Sequence, residues 1–387
     1  MTTWLSTLPS MSIHILHLHS TFNLGGKEAR AVRLMNAFGD KARHTIVSAM
    51  PDQLAARDAI AKGVKYEIAL DPPPLSGRPS VKRYEAIARY MRRFDLVLTY
   101  NWGAIDGVMA ARVFGKDLPP IVHHEDGFNQ DEAQRLNPVR NMYRRIALPA
   151  ANALIVPSEK LQQIALTQWR QPPERLRRIP NGVQTALYAG KPDPRLIPAL
   201  QKRRAGEVFI GSVAGLRPVK DLPMLVRACA GLNSRFKLVI VGEGPEHQAI
   251  LDAAEAMGIE DNVILTGFLP EPHKYMGLFD IFALSSKSEQ APISVIEAMA
   301  AGLPVVAPNV GDISAMVCEY NRRYIPPERT EVLLRDRLDI FAQHADLRQY
   351  IGAANRERAR ALYDESEMVS AYARLYGEAM GRPGALG

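Results

Sequence analysis

Two glutamates, Glu289 and Glu297, bracket seven residues in "SEQAPISVIEAMAAGLPVV" (288–306). The apolar positions Ile296, Met299 and Ala300 follow helical spacing between Ser294 and Ala301, and Gly302-Leu303-Pro304 ends the run. One carboxylate thus precedes a helix and the other lies inside it. Were both helical, ~12 Å would separate them along the axis, about the span from sugar to ribose in a nucleotide-sugar. One could then accept hydroxyls from the sugar and the other from the ribose, with the helix start at Ile293 and Ser294 facing the diphosphate between them.

Three further segments carry suitable residue types. "VAGLRPVKDLPML" (213–225) places Arg217 and Lys220 just before a helix that starts near Asp221. Two cations at a helix start suit a diphosphate, the guanidinium by paired hydrogen bonds; the other reading is surface charge on a loop. "STFNLGGKEAR" (20–30) sets Gly25 and Gly26 at a strand-to-helix turn, where the backbone can approach a phosphate, though a plain tight turn would use the same pair. In "VGEGPEHQ" (241–248), Gly242 and Gly244 allow close backbone approach, which helix–sheet packing alone would also require.

Positioning these loops takes a scaffold of strands. Apolar runs at 13–20, 44–50, 66–70, 95–101, 120–125 and 153–158 alternate with amphipathic stretches, and a second series follows at 208–216, 236–244, 262–268, 281–286 and 304–311. Repeated strand–helix alternation with apolar strands predicts parallel sheets covered on both faces, so two series predict two doubly wound domains. The join falls in 183–207, where "KPDPRLIP" breaks both periodicities. In such folds ligands bind beyond the carboxyl ends of the strands, where strand order reverses.

A chain of 387 residues with 47% hydrophobic and 23% charged residues fits two soluble globular domains. Cys229 and Cys318 have no metal or disulfide spacing, which suits a reducing compartment. The opening "MTTWLSTLPSMS" is a poor signal peptide, and no window approaches a membrane span. Residues 1–184 hold 25 Lys+Arg against 16 Asp+Glu, while residues 185–387 hold 23 against 25. Much of the excess lies in 81–94, 140–147 and 170–178. Solvated helix faces are one reading, and attraction to an anionic membrane surface or acidic acceptor is the other. No recognition module points to nucleic acid.

"NLGGKEA", "IPNGV" (179–183), "RPVKD", "VGEGPE", "TGF" and the E-x7-E block followed by "AMAAGLPVVA" occur here in one order. That order resembles the family 4 retaining glycosyltransferases, which have the α/β GT-B fold of two Rossmann-like domains facing a central cleft. The resemblance implies an acceptor-binding domain at 1–184, a donor-binding domain at 185–365, and a helix in 366–387 crossing back to the first domain. It implies that Arg217 and Lys220 neutralise the donor diphosphate, Glu297 holds the ribose and Glu289 contacts the transferred sugar. Gly25, Gly26, Gly242, Ile293 and Ser294 would line the phosphate side. The implied reaction is transfer of a sugar from a UDP- or GDP-sugar to a hydroxyl of a glycan or lipid-linked acceptor, in the cytoplasm or at the inner membrane face. No D-x-D triplet occurs, so no metal or other cofactor is expected.

Three departures stand out. The arginine of the phosphate loop usually follows its first glycine closely, whereas Arg217 lies two residues after Gly215. In "PIVHHEDGFNQDE" (120–132), alignment on Gly127 puts Asp126 where the family often has a catalytic histidine, with His123 and His124 upstream. Asp126 and then His124 are the candidates for that role, although both histidines would also read as buried strand residues. Gln290 and Pro292 replace the commoner glycine–aromatic pair between the glutamates. A GT-B epimerase or phosphorylase shares the architecture, and a non-catalytic nucleotide-sugar-binding partner of a polysaccharide-assembly complex is the reading from another class. A dehydrogenase is disfavoured by the missing dinucleotide fingerprint.

Overall fold

The structure, a computed structural model, describes residues 12–23, 25–128, 132 and 135–387. Of the opening segment read as a poor signal peptide, residues 1–11 lie outside them. In the first half, β1 (Ile13–His19), α1 (Gly26–Phe38), β2 (Ala42–Ser48), β3 (Lys65–Ile68), α2 (Val81–Met91) and β4 (Leu96–Tyr100) are followed by α3 (Ile105–Phe114), β5 (Ile121–His124), α4 (Pro138–Ala147), β6 (Ala153–Val156), α5 (Glu159–Thr167) and β7 (Leu176–Arg178). The second half contains β8 (Val208–Val213), α6 (Leu222–Ala230), β9 (Phe236–Val241), α7 (His247–Ala256), β10 (Val263–Leu265), β11 (Ile281–Ala283), α8 (Ile293–Ala300) and β12 (Val305–Val306). Helices α9 (Ile313–Met316), α10 (Glu319–Arg322), α11 (Glu331–Gln343), α12 (Ala345–Leu362) and α13 (Glu365–Ala379) complete it.

The strands form two parallel sheets, ordered β3-β2-β1-β4-β5-β6-β7 and β10-β9-β8-β11-β12. Both are doubly wound, as the alternation predicts. Their central strands are buried nearly end to end, because helices cover both faces and leave no polar side. Strand order reverses between β1 and β4 in one sheet and between β8 and β11 in the other. The Gly25–Gly26 turn leaves β1, the Arg217–Lys220 loop leaves β8 and the Glu289 loop leaves β11, so all three sit at reversal points.

Strand β7 differs from the sequence reading, which took 170–178 only as a charged run. Leu176 alone of its three residues is buried; an edge strand of that length has no apolar run to reveal it. The basic runs also hold core residues. Arg83 on α2 and Arg144 on α4 are buried, Arg83 against Asp106 and Arg144 between Glu125 and Glu132. Three aromatic rings, Trp102, Phe128 and Trp169, surround the Arg144 guanidinium at 4.9–5.4 Å.

Helix α13 packs on the first sheet. Met368, Tyr372 and Tyr376 join Ile15, Leu98, Tyr100 and Val122 in one buried cluster. Two points tie it down: Tyr376 hydrogen-bonds His124, and the Arg30 guanidinium lies 5.6 Å over the Tyr372 ring.

Candidate active site

On the second domain, α8 begins without a side-chain cap, since its N-cap is Pro292. The first amides, those of Ile293 and Ser294, thus keep their hydrogen-bonding capacity for an anion. Val295, Ile296, Ala298, Met299 and Ala300 hold the helix in the core, and Glu297 is buried among them at 5% exposure. Burial raises the Glu297 pKa, opposed by the charge of Arg33 and a hydrogen bond from Tyr188. Glu289 stays outside the helix. Its Oε1 accepts Lys220 Nζ at 2.5 Å and Ser286 Oγ at 2.7 Å. The cation expected for the diphosphate and the carboxylate expected for the sugar therefore neutralise one another. Arg217 is exposed and makes no ion pair among the described residues.

Gly242 has φ +145, and a Cβ there would come within 2.0 Å of the Ala214 carbonyl oxygen. Only glycine lets the β9 exit pass so close to the loop that carries Arg217. Its role in this fold is to shape that loop.

On the first domain, α1 starts at Gly26, and a Cβ on Gly26 would lie 3.6 Å from Ile293 Cδ1 across the cleft. The two elements expected on the phosphate side thus face each other. Glu28 shares that turn: it pairs with Lys27, and one of its oxygens lies 2.9 Å from where a Gly25 Cβ would stand. Burial raises its pKa.

His124 is corrected by the structure. It is 1% exposed at the end of β5, under α13. Nδ1 lies 3.1 Å from the Thr99 carbonyl and so carries the proton, which leaves Nε2 to accept the Tyr376 hydroxyl at 2.7 Å. Burial and then Arg30 hold its pKa well below the ordinary 6.5. A neutral ring with both nitrogens engaged has no proton to exchange with a substrate. His123 is likewise buried, with Nδ1 on Thr99 Oγ1 at 2.7 Å.

Asp126 is reachable but not free. Arg30 grips it with two nitrogens, Nη1 on Oδ1 and Nη2 on Oδ2, the latter at 2.9 Å. Burial opposes the Arg30 charge, but Asp126, Tyr372 and Tyr376 together outweigh it, so the guanidinium pKa is raised. Sequence reasoning missed Arg30, though it stands four residues after Gly26 on one helix face. It also missed Asn181 of "IPNGV", whose Oδ1 accepts Arg30 Nη1 at 3.2 Å and whose Nδ2 donates to the Ala291 carbonyl at 2.9 Å. Asn181 thereby joins the two sides.

Comparison with known proteins fits this geometry. Residues 24–187 match the family profile Glycosyltransferase Family 4, and residues 197–358 match Glycosyl transferases group 1. Between them the two profiles span most of the chain, and it belongs to this glycosyltransferase family. EpsF of Bacillus subtilis is 30% identical over 209 residues, 51% of this chain and 53% of that protein. A GDP-mannose-dependent alpha-(1-6)-phosphatidylinositol monomannoside mannosyltransferase of Mycobacterium tuberculosis is 31% identical over 203 residues, covering 48% and 51%. The chain spans about half the length of the curated relatives it matches. Among solved structures, Anabaena HepE in complex with UDP superposes with a TM-score of 0.76 at 19% identity, over 95% of this chain and 100% of that one. The fold is GT-B.

Proposed function

We propose that the protein moves a sugar, with retention at the anomeric carbon, from a nucleotide-diphosphate sugar to a hydroxyl of a glycan or lipid-linked acceptor. The observation that carries this is the convergence of Arg217, Lys220 and the uncapped start of α8 at one strand-order reversal, with Glu289 and Glu297 on either side. The HepE structure with UDP and the GDP-mannose-dependent relative support a UDP- or GDP-sugar as donor.

In this reading the acceptor oxygen bonds to the anomeric carbon as the bond to the donor phosphate breaks. The electron pair leaves with the diphosphate, and a phosphate oxygen takes the hydroxyl proton. The protein supplies placement and charge. Arg217, Lys220 and the α8 amides meet the charge on the leaving group, the work a metal does elsewhere, and Glu297 accepts the ribose hydroxyls. Lys220 exchanges Glu289 for phosphate, which releases that carboxylate for sugar hydroxyls. Held in place by Arg30, Asp126 is positioned to orient the acceptor hydroxyl or to face positive charge on the sugar.

Helix α4 supports a membrane-borne acceptor. Val139, Met142 and Ile146 form an exposed apolar stripe, with exposed Arg135 and half-buried Arg145 beside it. An apolar stripe edged by cations suits the surface of an anionic bilayer, which supports a reaction at the inner membrane face. No helix among the described residues is long and apolar enough to cross a membrane.

The pairing of Asp126 with Arg30 favours one second reading, a nucleotide-sugar-binding partner without turnover. Thermal stabilisation by UDP-, GDP-, ADP- and dTDP-sugars, for the wild type and Glu297→Ala, tests the donor site. A shift with one nucleotide that the substitution abolishes supports the site. No shift with any of them overturns it, and binding without sugar release or transfer favours the second reading.

A further inference from the structure

The carboxylate of Asp312, in the second domain, binds the start of a helix in the first. It accepts the backbone amides of Glu159 at 2.5 Å and Lys160 at 3.1 Å, the first two of α5. The third amide, that of Leu161, goes to the helix's own N-cap, Ser158, at 3.0 Å. The first turn of α5 is therefore capped jointly by two domains. A carboxylate at this end is also favoured by the helix dipole.

The same Ser158 hydroxyl donates to Gln290 Oε1 at 3.3 Å. Gln290 is 8% exposed, and its side chain fills the space over Gly127: a Cβ on Gly127 would lie 2.9 Å from Gln290 Cγ. Its carbonyl accepts the Asp312 amide at 2.8 Å. Gly311, at φ +61, passes so close that a Cβ would lie 2.5 Å from the carbonyl oxygens of Glu289 and Gln290. Residues 289–291 and 311–312 are thus one unit. It meets the first domain at Gly127, at Ser158 with α5, and at Asn181. A glycine at position 290 could not reach Ser158.

We propose that Asp312 and Gln290 are positioning residues that dock the Glu289 loop on the first domain, so that closing the cleft and placing Glu289 are a single step. Neither needs to touch the sugar. The effect on transfer rests on the function proposed above, whereas the docking itself does not.

The test compares Asp312→Ala, Asp312→Asn and Gln290→Gly with the wild type. Small-angle scattering reads closure without ligand or activity: the radius of gyration, about 21 Å for a compact chain of this length, increases in Asp312→Ala and less in Asp312→Asn, which keeps one acceptor. Calorimetry with UDP and GDP reads a site built mainly by the second domain, so affinity stays within about threefold. Transfer or donor hydrolysis falls about tenfold or more in kcat, the scale expected for losing charge-assisted hydrogen bonds. The Gln290→Gly and Asp312→Ala losses are less than additive in the double variant, because both act through one docked unit. Gln290→Gly leaves the α5 amides capped and serves if Asp312→Ala fails to fold. Unchanged scattering in both variants overturns the docking. Expanded scattering with wild-type kcat overturns the positioning role. A wild type without turnover refutes the proposed transfer and leaves the scattering comparison to decide the docking.

Discussion

Lys220 and Glu289 are each other's counter-ion, 2.5 Å apart where strand order reverses in the second sheet. In the function proposed above, a donor that takes Lys220 for its phosphates frees Glu289 for its sugar, which would couple the two halves of recognition. In Glu289→Gln, sugar transfer falls about a hundredfold, as for other lost contacts that strengthen in the transition state. A nucleoside diphosphate without sugar binds this variant at least as tightly as the wild type, because Lys220 has lost its competitor. Titration calorimetry with UDP and GDP checks the second outcome, and weaker binding contradicts it.

Glu297 gives a pH signature. Burial places its carboxyl above the ordinary 4.5, and ribose hydroxyls are accepted best by the ionised form. Nucleotide affinity therefore rises as pH climbs through the raised pKa. Stability runs the other way. The native state holds this proton more tightly than the unfolded chain, so Glu297's contribution is greatest below 4.5 and is lost as pH rises through the folded pKa. Affinity and melting temperature measured from about pH 5 to 8 show the opposed trends, and Glu297→Gln flattens both.

The first sheet responds to acid. His17, His19, His44 and His124 are buried and kept neutral, with the His44 pKa lowered from 6.5 to about 4 by burial. Below 6.5 the unfolded chain binds protons that the native state refuses, so stability is lost as pH falls. Each such group contributes at most about 1.4 kcal/mol per pH unit. Urea unfolding at pH 7 and near pH 5 measures the loss, and His44→Phe reduces it.

Arg30 and Asp126 form a pair that neither partner can leave cheaply. Asp126→Ala strands a buried guanidinium and destabilises by about 3 kcal/mol. Replacing both by leucine costs less than either single change, which a double-mutant cycle in urea reads directly.

For helix α4, replacing Val139, Met142 and Ile146 together by serine removes binding to vesicles containing anionic lipid. Melting temperature stays within about 2 °C, since all three are exposed. Cosedimentation at low and high salt separates the apolar part of the attraction from the charged part. Unchanged binding by the triple variant contradicts the membrane assignment of this face.

The strands of both sheets are legible because two-sided burial leaves unbroken apolar runs, as in "IHILHLH" and "FKLVIV". The candidate residues of the second domain are picked out by their place: Arg217, Lys220 and Glu289 stand in loops that follow strands, and Glu297 in the helix after one. Three-dimensional partnership is what the sequence conceals. Lys220 and Glu289 are 69 positions apart, Arg30 and Asp126 are 96 apart, and Asp312 caps a helix about 150 residues earlier. No local period reports such pairs. His124 illustrates the limit: its type and place beside Asp126 fit proton transfer, and only Tyr376, 252 positions away, shows that its nitrogens are taken.

Helix α13 has a consequence for synthesis. Tyr372 and Tyr376 complete the buried cluster that covers Ile15, Tyr100 and His124, yet they leave the ribosome after every strand of both sheets. The half of the protein that is made first is thus the last to be finished. While the second sheet assembles, a row of core residues around β1, β4 and β5 lacks its cover, the kind of surface that chaperones bind and that aggregates in their absence.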